Sequence, residues 1–185
     1  MNSFADSGRT QTGLTLIETL IVVAILALGA WAATPAFVAW RTRDQVDARA
    51  NALLASLAYA RATAIQLQTR VTVCRANDGQ HCVAQNVACV SGATDWSCGW
   101  AVIFERNGVA QPLRAQAALD AVAITSRLSS IAFTPPAGQA IGSLGNFEIG
   151  PRASTASTQG TRWRRCIRIA AGGRARITDG ACSAT

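Results

Sequence analysis

The sequence predicts an α+β protein in which one long N-terminal α-helix packs on a C-terminal antiparallel β-sheet head. Residues 14–40 are an apolar run of 27 residues whose only charge is Glu18. Beyond Trp40 the apolar positions Val46, Ala50, Leu53, Leu57, Ala64 and Leu67 recur in steps of three, four or seven, the repeat of one helix face. After Arg70 the periodicity gives way to short β-rich runs divided by turn residues. A chain of 185 residues makes one globular domain with a core of ordinary size.

At about 1.5 Å rise per residue, the apolar run is long enough to cross a bilayer as a helix. An ordinary secretory signal carries its small-residue cleavage site after the apolar run, and the helix is discarded. Here the small residue, Gly13, comes before it. A carboxylate within hydrocarbon costs at least about 2.5 kcal/mol unless it finds a partner, so Glu18 calls for one. Pro35 sits well inside the run, where it removes a backbone donor and loosens a turn. The segment 1–13 holds Arg9 against Asp6, while Arg41 and Arg43 follow the helix, so flanking charge orients the span only weakly.

The amphipathic continuation covers residues 41–67, and its apolar stripe is expected to pack on the head, residues 68–185. Seven runs read as strands: 71–74, 100–104, 122–125, 131–134, 147–149, 166–169 and 175–178. The Ala/Ser/Thr/Gly-rich stretch 150–161 reads as a loop.

All 17 basic residues are arginine, and the formal net charge is +7. Most of that excess lies in residues 151–185, where Arg152, Arg162, Arg164, Arg165, Arg168, Arg174 and Arg176 face one acid, Asp179. A one-sided basic segment is the footprint of an anionic partner or a solvated face. Six cysteines in an exported chain read as disulfides. Cys74, Cys82, Cys89 and Cys98 lack the close pairs of a zinc site, and their pairing stays open. No Ser/His/Asp set, phosphate loop or paired-carboxylate motif stands out, and the single histidine, His81, reads as a solvated loop residue. Neither catalysis, a metal nor a cofactor is expected.

The runs around 166–169 and 175–178 are joined by Ala170-Ala171-Gly172-Gly173, a turn in which glycine tolerates positive φ. Strand alternation places Arg164, Cys166 and Arg168 on one face with Arg174, Arg176 and Thr178, and Ile167, Ile169, Ala175 and Ile177 on the other. Like charges facing one another across strands destabilise a hairpin, and an anion above them relieves that. Guanidinium forks bind phosphate in bidentate fashion, so a row of them suits a polyphosphate backbone. Cys166 and Cys182 bracket this feature. A bridge between them is expected, constraining the unfolded chain by roughly 3 kcal/mol. Trp163 could stack on an exposed base, but packing on the sheet is the favoured reading.

The residues Gly13-Leu14-Thr15-Leu16-Ile17-Glu18, followed by the apolar helix, resemble the class III signal of type IV pilins and pseudopilins, with Leu14 in place of the usual Phe. The head resembles the GspH/FimT branch, through residues 57–65, Val71-Thr72-Val73-Cys74, Trp96, residues 99–104, residues 131–135 with Gly138, and finally Gly173-Arg174-Ala175-Arg176. The resemblance implies a leader, 1–13, removed by prepilin peptidase after Gly13, and N-methylation of Leu14. It implies that Glu18, the fifth mature residue, pairs with the terminal amine of a neighbouring subunit, and that 14–40 is the filament-core helix. It implies a bacterial inner-membrane protein with one span and a periplasmic head, which joins a pilus or pseudopilus with other pilins.

FimT-type minor pilins with a C-terminal G-R-x-R motif are similar to DNA receptors for natural transformation, and Gly173, Arg174 and Arg176 match that motif. The expected function is a minor pilin that binds DNA, without sequence preference, through Arg164, Arg168, Arg174, Arg176 and Gly173. The alternative is a structural minor pilin that primes pilus assembly, or the H-type pseudopilin of a type II secretion system. N-terminal sequencing of the membrane-inserted protein should read methyl-Leu14 first; an intact Met1 or another start would overturn the cleavage assignment.

Overall fold

The computed structural model describes residues 15–77, 81–84, 87–89, 92, 94–106, 109–141, 145–156 and 158–182. The expected junction of Gly13 and Leu14 lies outside them. One helix, α1 (Leu16–Leu67), contributes to two compact units, which divide between Val38 and Ala39.

In the first unit α1 is long and apolar enough to cross a membrane. Its large side chains are exposed, Leu16, Leu28 and Trp31 among them. Thr15 acts as the N-cap, its Oγ1 accepting from the Glu18 N–H at 3.4 Å. Within the helix, the hydroxyls of Thr19 and Thr34 donate to the carbonyls of Leu16 and Ala30, both at 2.8 Å. Such back-bonding satisfies side chains that would find no water in hydrocarbon. Pro35 lies inside α1 without ending it.

The second unit holds the rest of α1 and, among the described residues, nine strands: β1 (Val71–Arg75), β2 (Gly99–Arg106), β3 (Val109–Ala117), β4 (Val122–Thr125), β5 (Ser130–Thr134), β6 (Gln139–Ile141), β7 (Asn146–Pro151), β8 (Arg165–Ile169) and β9 (Ala175–Asp179). They form two antiparallel sheets, in the order β3-β2-β1-β5-β6 and the order β4-β7-β8-β9. Both contribute to one core. Val46, Ala50, Leu53, Leu57, Ala60 and Ala64 of α1 are buried with Val71, Val73, Trp100, Val102, Ile131 and Phe133 of the first sheet, and with Ile124, Phe147, Ile149, Ile167 and Ile169 of the second. Leu67, expected on this stripe, is instead about half exposed at the helix end.

The two indole N–H groups within this core are paired. Trp100 Nε1 donates to Ser56 Oγ on α1 at 3.0 Å, and Trp96 Nε1 to the Leu128 carbonyl at 2.6 Å. The Arg49 guanidinium lies 4.2 Å from the Trp100 ring centroid, and desolvation lowers its pKa from the ordinary arginine value.

Two strands were not among the seven runs. β3 is an edge strand, exposed along most of its length and interrupted by Pro112, so no inward-outward alternation marks it. β6 has only three residues. The loop expected over 150–161 begins later, because Gly150 and Pro151 pair with Ala123 and Val122; within it Thr158 is buried.

Three disulfides join Cys74 to Cys82, Cys89 to Cys98, and Cys166 to Cys182. The first two staple the segment between β1 and β2. The buried Arg75 assists, donating to the Val87 carbonyl at 3.1 Å and the Ala84 carbonyl at 3.0 Å.

Because Leu53 is fully buried where α1 meets the sheets, Leu53→Ala should lower unfolding free energy by about 2–5 kcal/mol. The exposed Val109→Ala should stay within about 0.5 kcal/mol of the parent in the same thermal or chemical denaturation series.

Candidate nucleic-acid interface

β8 and β9 form the hairpin, with Cys166 opposite Thr178, Ile167 opposite Ile177, Arg168 opposite Arg176 and Ile169 opposite Ala175. Ile167 and Ile169 are buried while Arg168 and Arg176 are exposed, so alternation sends the aliphatic side chains to the core and these guanidinium groups outward. The turn closes through Gly173 N–H to the Ala170 carbonyl at 2.8 Å and Ala170 N–H to the Arg174 carbonyl at 3.0 Å. Gly173 has a φ of +76°, which disfavours any side chain.

The seven arginines of the C-terminal segment do not act alike. Arg165 is buried, with Nε 2.6 Å from Asp47 Oδ1 of α1 and 3.1 Å from Asp179 Oδ1 of β9. It ties helix to hairpin. Arg152 stands 4.0 Å from the buried Asp95. Arg164, expected among the DNA-binding residues, forms an ion pair with Glu148 of β7, whose other oxygen accepts from the Cys182 N–H at 3.0 Å. Arg162 approaches the buried Trp163 ring, 5.6 Å from its centroid. Arg174 and Arg176 are exposed and have no ion-pair partner among the described residues. The structure therefore brings Arg168, Arg174 and Arg176 together as the outward cationic group and leaves Arg164 compensated beside it. Counting charge along the C-terminal segment hides this, because Asp47, Asp95 and Glu148 all precede it in the chain.

Gly173 also serves a close contact. A Cβ there would overlap the carbonyl oxygen of Gly138, in the turn between β5 and β6, and would lie 3.2 Å from Arg61 Nε. Arg61, on α1, donates to the carbonyls of Gly138 and Ala137, each at 3.1 Å. Ala140 N–H reaches the Ala171 carbonyl at 3.3 Å. The arginine turn thus rests on a second turn that the helix itself holds.

A family described as type II transport protein GspH matches residues 49–173. The chain belongs to that family. The prokaryotic N-terminal methylation motif matches residues 8–34, which identifies this GspH-type chain as a GspH/FimT-like minor pilin or pseudopilin, and membership implies assembly with other pilins. Among solved structures, the type IV minor pilin FimU of Pseudomonas aeruginosa strain PAO1 is similar in two crystal forms. The first has 19% identity and a TM-score of 0.55, covering 75% of this chain and 92% of that one. The second has 20% identity and a TM-score of 0.52, covering 71% and 91%. At this identity the likeness establishes the shared pilin fold. No curated protein matches the sequence significantly.

The GspH match ends at Gly173, so Arg174 and Arg176 lie just past it. The glycine contact can be tested against its neighbour. Gly173→Ala should destabilise the protein by more than about 1 kcal/mol, since both its φ and the Gly138 carbonyl oppose a methyl group. Gly172→Ala, where a Cβ meets nothing within 4 Å, should leave the melting temperature nearly unchanged.

Proposed function

We propose that this pilin is a minor subunit that enters a type IV pilus and binds DNA through its C-terminal arginine hairpin, serving DNA uptake in natural transformation. The observation that carries the reading is the cross-strand pair of Arg168 and Arg176 beside Arg174, with no acid paired to Arg174 or Arg176 among the described residues. Two guanidinium groups on adjacent strands repel one another, and a phosphate between them replaces that repulsion with charge-assisted hydrogen bonds. Such contacts position a nucleic acid without reading its bases. Arg164 contributes mainly by holding Glu148, and Gly173 by seating the turn.

In this reading prepilin peptidase removes residues 1–13, Leu14 becomes the methylated first residue, and Glu18 pairs with the amine of a neighbouring subunit. The span of α1 holds the protein in the inner membrane, with the head in the periplasm until assembly. A second reading, the H-type pseudopilin of a type II secretion system, is favoured by the description of the matching family and needs only protein contacts around the head.

The test is duplex DNA binding by the full chain in neutral detergent across a salt series. Binding should be insensitive to sequence and fall steeply with salt, and Arg174→Ala with Arg176→Ala should lower the slope of log affinity on log salt by about two. Absence of binding by the parent at low salt, or equal binding by the double variant, would sink the DNA reading and favour the pseudopilin.

A further inference from the structure

Beside the hairpin, on the same sheet, is an open groove of about 570 Å³ lined by Thr125, Ser126, Arg127, Asn146, Glu148 and Arg168 among others. Its place follows from the strand register. Thr125 of β4 pairs with Glu148 of β7, Glu148 with Cys166 of β8, and Cys166 with Thr178 of β9. Two residues along, Asn146 pairs with Arg168 and Arg168 with Arg176. Arg127 lies two residues past Thr125, in the turn that follows β4. Asn146, Arg168 and Arg176 succeed one another across β7, β8 and β9, and Arg127 lines the groove beside the first two. Three strand intervals of about 4.8 Å separate β9, which carries Arg176, from the end of β4, from which Arg127 follows, so the two are on the order of 14 Å apart, close to the roughly 12 Å width of a duplex major groove.

Arg127 is exposed, and among the described residues no acid pairs with it. The turn that carries it is nonetheless fixed from several sides. Ser126 N–H donates to the Thr94 carbonyl at 2.9 Å, Leu128 N–H to Ser126 Oγ at 3.2 Å, and Trp96 Nε1 to the Leu128 carbonyl at 2.6 Å. Gly145 makes room for Leu128, whose side chain a Cβ at that position would overlap. With the backbone of the turn already ordered, binding a ligand at Arg127 has only its side chain to immobilise. Glu148, the acid in the lining, is already engaged by Arg164 and by the Cys182 N–H. Its negative charge is therefore largely countered before an anion arrives.

Resting on the DNA reading of the hairpin, we propose that this groove is a second phosphate-binding element of the same surface. Arg127 takes a DNA phosphate on one wall, Arg168 faces it from the other, and Asn146 supplies hydrogen bonds between them. A DNA backbone lying across the sheet meets Arg174 and Arg176 at one end and Arg127 at the other. At that separation the two ends contact different phosphates and contribute independently.

The experiment compares the full chain in neutral detergent with Arg127→Ala, with Arg114→Ala, with Arg174→Ala plus Arg176→Ala, and with the triple variant that joins Arg127→Ala to that pair. Duplex DNA binding is followed over a salt series after thermal melts confirm each fold. Arg114, exposed on β3 of the other sheet, controls for loss of one positive charge anywhere. Arg127→Ala should weaken binding several-fold and lower the salt slope by about one, Arg114→Ala should change neither, and the triple variant should show the sum of its parts. An unchanged Arg127→Ala, or an equal loss in Arg114→Ala, would overturn the groove while leaving the hairpin standing. Failure of the parent chain to bind would instead remove the reading on which the groove rests.

Discussion

The apolar stripe of α1, from Val46 to Ala64, is the surface on which both sheets of the head close. Its buried positions recur at intervals of three and four residues, and each sheet supplies its own aliphatic and aromatic side chains to the same cluster. Among the described residues no strand of one sheet pairs with a strand of the other, so they are joined by this helix face, by the loops that cross between them and by the contact of the β8–β9 turn with the β5–β6 turn. Where polar groups enter the contact they are matched to it: Ser56 accepts the Trp100 indole, and Asp47 receives the buried Arg165. The helix is therefore part of the head's interior as well as its tether. A soluble version cut too late in α1 would expose the apolar faces of two sheets at once.

The hairpin owes its position to that same packing. Ile167 and Ile169 enter the core beneath it, while Arg61 reaches from α1 to hold the turn of Ala137 and Gly138 against Gly173. Glycine at 173 thus has two separate causes, a positive φ and a neighbouring carbonyl. Neither involves a ligand directly. The cationic character next to it is set by what lacks an acid: of the residues between Arg152 and Arg176, three find carboxylates from elsewhere in the chain and two, Arg174 and Arg176, find none among the described residues.

Much of this was legible in the sequence because it depends on local periodicity. The helix face beyond Trp40 was marked by apolar residues at helical spacing, and the runs 71–74 and 166–169, rich in β-branched residues, fall within the strands Val71–Arg75 and Arg165–Ile169. β3 escaped notice because an exposed edge strand with Pro112 carries no such alternation. At the site, alternation sorted Arg168 and Arg176 from Ile167 and Ile169, as the burial of each now shows. It could not tell that Arg164 meets Glu148 or that Arg165 meets Asp47, since those pairs join residues 16 and 118 positions apart. Arg127 was invisible as a site residue for the same reason: only the folded turn after β4 brings it to the groove that Arg168 also lines.

The bridge from Cys166 to Cys182 has a mechanical consequence. β9 is an edge strand, paired among the described residues with β8 alone. A long polymer held at Arg174 and Arg176 and placed under tension would tend to unzip that strand one hydrogen bond after another, a geometry that resists force poorly. The covalent link makes β8, the turn and β9 a closed loop, so peeling cannot run past Cys182. The load passes instead into β8, which is paired on both sides and rooted in the core by Ile167 and Ile169. An oxidised disulfide thus turns a fraying edge into a fixed point of anchorage.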